Sequence, residues 1–294
     1  MDIRSNFRKR GIATIASLGA AALVITSCGG DNGAVEAPEI DEDCEPLHEF
    51  PTLEEGVLEV AAMNAPPKFH ALSDSGPFEG IDAILITEFA AENCLEVNFK
   101  PMTGAAAQLD LSEGNSDLFG GLILKTEERG EVFGQAEGYI IYETVGFTSH
   151  VDDSFESVDE MEGIRVGTLS GSTYVEPLRE AFGADMVEEY QSDTNAFEDL
   201  RAGRIDAIGW QSMQGFNFSE QDEDYVTIIP DEDPDHPELT QLFENNWPHT
   251  KDVPELTEAI DDYYERAHED GTIEEALAEN DIDGELADFY LNGR

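Results

Sequence analysis

From Gly56 to Asp117 the chain alternates between short apolar runs and helix-forming stretches. Gly56 to Ala62 (GVLEVAA) reads as a strand, Gly80-Ile81-Asp82 opens a helix that runs to about Asn93, and Val97 to Pro101 is a second strand. A further helix from about Gly104 to Leu111 leads through Gly114 to a third strand at Asp117. Strand-helix-strand-helix-strand dictates a parallel sheet with right-handed crossovers, which limits the chain to an α/β architecture.

The third strand carries the most informative stretch. Asp117 to Arg129, DLFGGLILKTEER, starts apolar, passes two glycines and ends on Glu127, Glu128 and Arg129. It is a strand emptying into a loop at its carboxyl end, where open α/β sheets place their ligands. The chain has 15 basic and 66 acidic residues, so a cation kept beside such a loop draws attention. The planar fork of arginine suits a carboxylate. A surface salt bridge to a neighbouring acid explains the segment in isolation equally well.

Residues 1–27 carry Arg4, Arg8, Lys9 and Arg10, then an uncharged run from Gly11 to Ile25, and Ile25-Thr26-Ser27 precedes Cys28. That is the shape of a secretory signal peptide, and a transmembrane anchor would need a longer apolar span of about 20 residues. Residues 28–53 are rich in Gly, Pro, Asp and Glu and read as an acidic tether. The formal net charge of −51 excludes nucleic acid as a natural partner, because phosphate binding needs clustered cations. Such acidity is associated with disorder when aromatics are scarce. Here 9% aromatic and 40% hydrophobic residues leave enough for a packed core. We read the acids as adaptation to high salt, where counterions screen self-repulsion. The stretch DEDPDHPE (231–238) is a candidate for metal binding, but a solvated loop is the simpler reading. No metal and no cofactor are expected.

The segment from Asp117 resembles the matching stretch of family 3 bacterial solute-binding proteins, the extracytoplasmic receptors of amino-acid ABC importers. Those typically read Asp, an apolar strand, a small or hydroxyl-bearing loop and Thr-Pro-Glu-Arg. Thr126, Glu128 and Arg129 fall in register, with Glu127 where proline is usual. The Pro-Pro and aromatic loop, the Gly-x-Asp at the first helix, Phe99-Lys100-Pro101 and the run from Leu200 to Ala207 resemble their family counterparts. The small residues before Cys28 resemble a lipobox, which implies lipidation of Cys28. Cys44 and Cys94 then remain as an even pair in an oxidising compartment, where either a disulfide or two free thiols is open.

The resemblance covers roughly residues 53–290. It implies a two-lobed periplasmic-binding-protein type II fold, each lobe a mostly parallel sheet flanked by helices. The expected layout is a signal peptide (1–27), the tether (28–53), lobe I (54–147 and 243–294) and lobe II (148–242), acting as a monomer. It further implies a small-molecule solute in the cleft and an ABC permease as partner, with the protein extracytoplasmic and lipid-anchored. In the family the arginine matching Arg129 grips a carboxylate together with the turn matching Gly171, Ser172 and Thr173. That turn is expected to open a helix running to about Phe182, and its backbone N–H groups would suit an anion. Ordinary capping by Ser172 or Thr173 is the alternative.

Departures bear on the ligand. The aspartate that family members use for an α-ammonium is replaced by Gln211, and a neutral amide cannot neutralise a desolvated ammonium. Gly104 stands where a large side chain is usual, and Leu124, beside Leu122, stands where a hydroxyl is usual. Phe69, with Trp210 or Trp247, is expected to form an aromatic wall. The inferred pocket is apolar and less suited to a free α-amino group, with modified amino acids, ectoine or betaines as candidates. Two other classes stay open: an extracytoplasmic enzyme on the same fold, of the cyclohexadienyl-dehydratase kind, and a sensor module.

Overall fold

The computed structural model describes residues 34–35, 40–41, 43–153, 155 and 157–293. The expected signal peptide (1–27) and Cys28 lie outside the described residues. Strand β1 (Ala34–Val35) pairs with β4 (Phe78–Glu79), which also pairs with β3 (His70–Ala71). The sheet of the first lobe has the order β5-β2-β6, with β2 (Val57–Met63), β5 (Glu96–Met102) and β6 (Leu118–Gly120) all parallel. The five central residues of β2 are buried, as a strand must be when helices cover both faces of a parallel sheet.

Helices α1 (Ile81–Glu92) and α2 (Gly104–Ser112) make the crossovers. Eight of the twelve residues of α1 are buried, including Leu85, Ile86 and Phe89. It therefore runs through the lobe rather than over it. Gly80 starts it at φ 104°, where a Cβ would sit 2.7 Å from the Pro67 carbonyl oxygen; only glycine fits there. At its far end Cys94 is bonded to Cys44, with Cα atoms 5.9 Å apart and a sequence separation of 50. Closing a loop of that length contributes about 4 kcal/mol in the chain-entropy picture. It ties the acidic N-terminal segment to the domain.

Next come β7 (Ile123–Leu124), α3 (Glu127–Val132) and β8 (Tyr142–Glu143), then β9 (Val145–His150), which already belongs to the second sheet. The chain thus enters that sheet at Val145, ahead of the expected boundary at 147/148. The second lobe continues with β10 (Val166–Leu169), α4 (Val175–Phe182), β11 (Val187–Tyr190), α5 (Asp193–Arg201), β12 (Ala207–Gln211), α6 (Ser212–Gln221) and β13 (Tyr225–Ile228). The strand order is β11-β10-β12-β9-β13. Only β9 runs against its neighbours, because it arrives from the first lobe directly and not through a crossover helix.

After α7 (Pro237–Thr240) the chain returns along β14 (Phe243–Asn246), which pairs antiparallel with both β7 and β8. Outgoing and returning segments thus lie side by side between the lobes. Helices α8 (Pro254–Glu269), α9 (Thr272–Glu279) and α10 (Gly284–Asn292) then close the first lobe. Trp247 lies at its centre, fully buried against Phe89, Tyr263 and Tyr264.

Candidate functional site

A cavity of about 680 Å³ lies between the lobes, a size typical of small-molecule sites. From the first lobe it is lined by the loop after β2, the start of α2, and Leu124 with Arg129. From the second it is lined by Gly171 to Thr173, the start of α5, and the end of β12. These are carboxyl ends of parallel strands, where the backbone turns away and side chains face into the crevice. A Cβ on Gly171, whose φ is 79°, would lie 3.6 Å from Ala105 Cβ of the first lobe. The lobes therefore meet closely at this turn.

Arg129 is the principal charge on the lining. Thr126 caps α3, its Oγ1 accepting the Arg129 backbone N–H at 3.2 Å, and this fixes where the side chain leaves the helix. Arg129 Nη1 donates to the Leu124 carbonyl oxygen at 2.6 Å. Arg165, Arg179, Arg201, Arg204 and Arg266 each pair with at least one carboxylate. Among the described residues Arg129 is the one arginine without such a partner, in a chain with 66 acids. A salt bridge to a neighbouring acid therefore does not account for it. Burial lowers its pKa to about 10, while Tyr174 and Glu128 pull it back up, so it is a cation at neutral pH. The Thr173 Oγ1 and the Tyr174 hydroxyl are buried without a hydrogen-bond partner in the structure. Arginine, Thr173 and the turn together form a pole suited to a carboxylate.

Of the residues singled out in the sequence, Leu124, Arg129, Gly171, Ser172, Thr173 and Gln211 line the cavity. Phe69, Leu122 and Thr126 do not. Phe69 is fully buried, its ring 5.7 Å from Phe78 and 5.1 Å from Phe99, so it is a core residue and no wall of the site. Leu122 adopts φ 50°, and its side chain is fully buried in the first lobe's core. Its N–H donates to Asp82 Oδ2 at 2.7 Å, which holds this uncommon conformation in place. Thr126 caps a helix and serves the site only through Arg129. Of the two tryptophans, Trp210 reaches the lining and Trp247 does not.

The turn at Gly171 also differs from expectation. Helix α4 begins at Val175, with Tyr174 as its N-cap. The Ser172 N–H is already donated to the Leu169 carbonyl at 3.1 Å. The segment is thus a turn ahead of the helix, and Thr173 contributes its unpartnered hydroxyl in place of a helix N-terminus.

Two charged residues escaped the sequence reading. Lys68 is completely buried beneath the cavity floor, where it donates to the Oε1 atoms of Gln211 and, at 3.2 Å, Gln214. Burial lowers its pKa to about 8, against the pull of Glu143, Asp193 and Asp82. Asp193, the first residue of α5, is half-buried on the lining and accepts from Gln214 Nε2 at 3.1 Å. The argument that flagged Arg129 as a rare cation beside a strand end applies equally to Lys68 after β2, and strand-end position would have flagged Asp193. Elsewhere, Asp233 and His236 of the acidic loop and the exposed Asp159 from the turn at Asp159–Met161 bring ligand atoms within 4.8 Å of one another.

A model of the bacterial extracellular solute-binding proteins, family 3, matches residues 58–280. The chain belongs to this family. Among relatives of this solute-binding protein, the L-cystine-binding protein TcyJ of Escherichia coli is 23% identical over 227 residues, 77% of this chain and 82% of its own length. The glutamate-binding protein GluB of Corynebacterium glutamicum is 20% identical over 289 residues, covering 95% of this chain and 92% of its own. The solved structure of the amino-acid ABC transporter substrate-binding protein AbpA of Streptococcus pneumoniae, bound to L-arginine, superposes with a TM-score of 0.68. It is 22% identical and covers 77% of this chain and 96% of that one. An ancestral amino-acid-binding protein described as a precursor of cyclohexadienyl dehydratase superposes at 0.66, with 18% identity over 76% of this chain and 94% of its own. The solute-binding protein thus has the type II periplasmic-binding-protein fold.

Proposed function

We propose that this solute-binding protein is an extracytoplasmic receptor, and not an enzyme, that binds a small carboxylate-bearing solute between its lobes and delivers it to an ABC permease. The observation that carries the reading is Arg129, a buried-side cation on the cavity lining with no carboxylate of its own. Its relatives are named for binding L-cystine and glutamate, and AbpA holds L-arginine, all solutes with a carboxylate of this kind. Leu124 supplies apolar wall, and Thr173 with the Gly171–Ser172 turn completes the anion pole. The N-terminal 27 residues are a cleaved signal, Cys28 carries the lipid, and the acidic segment after it, held to the domain by β1 and by Cys44, leads into a monomer whose lobes comprise 54–144 with 243–294, and 145–242.

Melting of the soluble domain in molar NaCl against a panel of amino acids and betaines tests this reading. A ligand at a hundred times its dissociation constant stabilises by about 2.7 kcal/mol, roughly 5–10 °C for a domain of this size. A panel that leaves the melting temperature unchanged contradicts it.

We also propose that the acidic surface is an adaptation to salt. Exposed like charges repel over a Debye length of about 10 Å at 0.1 M and about 3 Å at 1 M. The melting temperature of the unliganded domain should therefore rise between 0.1 and 2 M NaCl. A flat or falling dependence removes the proposal without touching the receptor reading.

A further inference from the structure

The cavity also holds an acid that no feature of Arg129 explains. Three buried or half-buried carboxylates surround Lys68, namely Asp82, Glu143 and Asp193. Asp82 is fully used by its own lobe, accepting from the Gly121 and Leu122 N–H groups and from Trp247 Nε1 at 2.9 Å. Glu143 accepts from Ser212 Oγ and from the backbone N–H groups of Thr144, Ser212 and Met213. Neither lines the cavity. Asp193 does, and beside its own backbone N–H its one side-chain donor is Gln214 Nε2 on Oδ2, which leaves the carboxylate room to accept.

The neighbouring amides cannot take the same role. The Oε1 atoms of Gln211 and Gln214 both accept from Lys68, and Gln211 Nε2 is turned toward the Leu122 carbonyl at 3.3 Å. An N–H-bearing cation arriving at the second lobe therefore finds one charged acceptor within the cavity. Asp74, the other acid on the lining, is exposed at the rim. Burial raises the pKa of Asp193, with Gln214, Lys68 and its own backbone N–H opposing.

We propose that Asp193 is the cation-binding residue of the site, so that the solute is a zwitterion whose carboxylate meets Arg129 and whose ammonium or guanidinium group donates to Asp193. Lys68 has a specificity role in this arrangement: by occupying the oxygens of Gln211 and Gln214, it shifts the cation subsite from the end of β12 to the start of α5. Aromatic recognition of a quaternary ammonium has little support on this lining. Trp210 is 2% exposed, and its Nε1 is engaged by Thr148 Oγ1 at 2.9 Å. This inference rests on the receptor reading, and it replaces the expectation of a site poorly suited to a free amino group.

Calorimetric titration with L-arginine, L-glutamate and L-cystine, and with glycine betaine and 2-hydroxyglutarate as probes lacking an N–H cation, tests it. Wild type should bind at least one of the first three and neither of the last two comparably. Asp193→Asn keeps the Gln214 bond and side-chain size, and should weaken that binding at least roughly 30-fold, as expected for losing one partner of a desolvated charge pair. Its unliganded melting temperature should stay near the wild-type value; if it does not, Asp193→Ser serves in its place. Asp193→Asn binding within threefold of wild type, while Arg129→Ala abolishes binding, overturns the inference and leaves the receptor reading standing. A wild type indifferent to every N–H-bearing probe also overturns it. Undiminished binding by Arg129→Ala overturns both.

Discussion

Arg129→Ala is expected to lower affinity for any carboxylate solute by roughly 30-fold to several thousand-fold. Removing one partner of a desolvated charge pair costs about 2–5 kcal/mol, and each 1.4 kcal/mol is tenfold in the dissociation constant. The upper part of that range applies because no second cation on the lining substitutes: His70 is the only other basic residue there. Arg129→Lys should recover only part of the loss, since an ammonium cannot reproduce the bidentate fork or its Nη1 bond to Leu124. Folding should be little affected, because Arg129 has no salt bridge to lose and its helix is held by the Thr126 cap. Titration calorimetry beside melting curves separates these effects, and a binding defect accompanied by a large fall in melting temperature would count against the assigned role.

Trp247→Ala should instead strike stability, by about 4–8 kcal/mol. Deleting a fully buried tryptophan costs about 3–5 kcal/mol through lost transfer energy and the cavity left behind. This one packs on Phe89, Tyr263 and Tyr264, with ring centroids 5.2–5.7 Å away. It also removes the Nε1 donor to Asp82, and a buried carboxylate deprived of a partner costs about 1–3 kcal/mol more. For a domain of this size the melting temperature should fall by roughly 10–30 °C. The same Asp82 holds Gly121 and Leu122 at the bend before Leu124, so the damage should spread to the cleft. Denaturation monitored by far-UV circular dichroism checks the prediction, and a fall below 3 °C would contradict the packing described here.

The elements with strong local signals were legible. Strand β11 falls at Val187–Tyr190 as its β-branched and aromatic ends suggest, and α1 lies between Gly80 and Asn93 as its glycine cap and apolar run require. Helix α6 was not foreseen. Its sequence, SMQGFNFSEQ, carries glycine and several weak helix formers. It forms because the second lobe packs over it: Met213 and Phe218 are buried, and a Cβ at Gly215 would lie 2.6 Å from Thr227. Tertiary packing of this kind overrides propensity and leaves no periodic trace in ten residues.

At the site, spacing located Arg129 but assigned Phe69 and Leu122 to the wrong side of their backbone. Phe69 is taken up by the aromatic cluster with Phe78 and Phe99. Leu122 takes the left-handed region, which few non-glycine residues visit and no sequence pattern announces. Lys68 and Asp193 remained hidden for a different reason. Each derives its meaning from groups distant in sequence, Gln211 lying 143 residues from Lys68. Gln211 alone suggested a site without an acid for an amine. Only the three-dimensional arrangement places Lys68 on that amide and an acid from α5 in the cavity.

The central claim is that the solute's carboxylate rests on Arg129, and a thermodynamic cycle tests it most directly. Affinities of wild type and Arg129→Ala would be measured for an amino acid that binds, L-arginine, L-glutamate or L-cystine, and for its α-methyl ester. Masking the carboxylate should cost wild type at least roughly 30-fold and cost Arg129→Ala little, because the interaction is already gone. Equal losses in both proteins would mean that the carboxylate is held elsewhere, and the account of this site would be wrong.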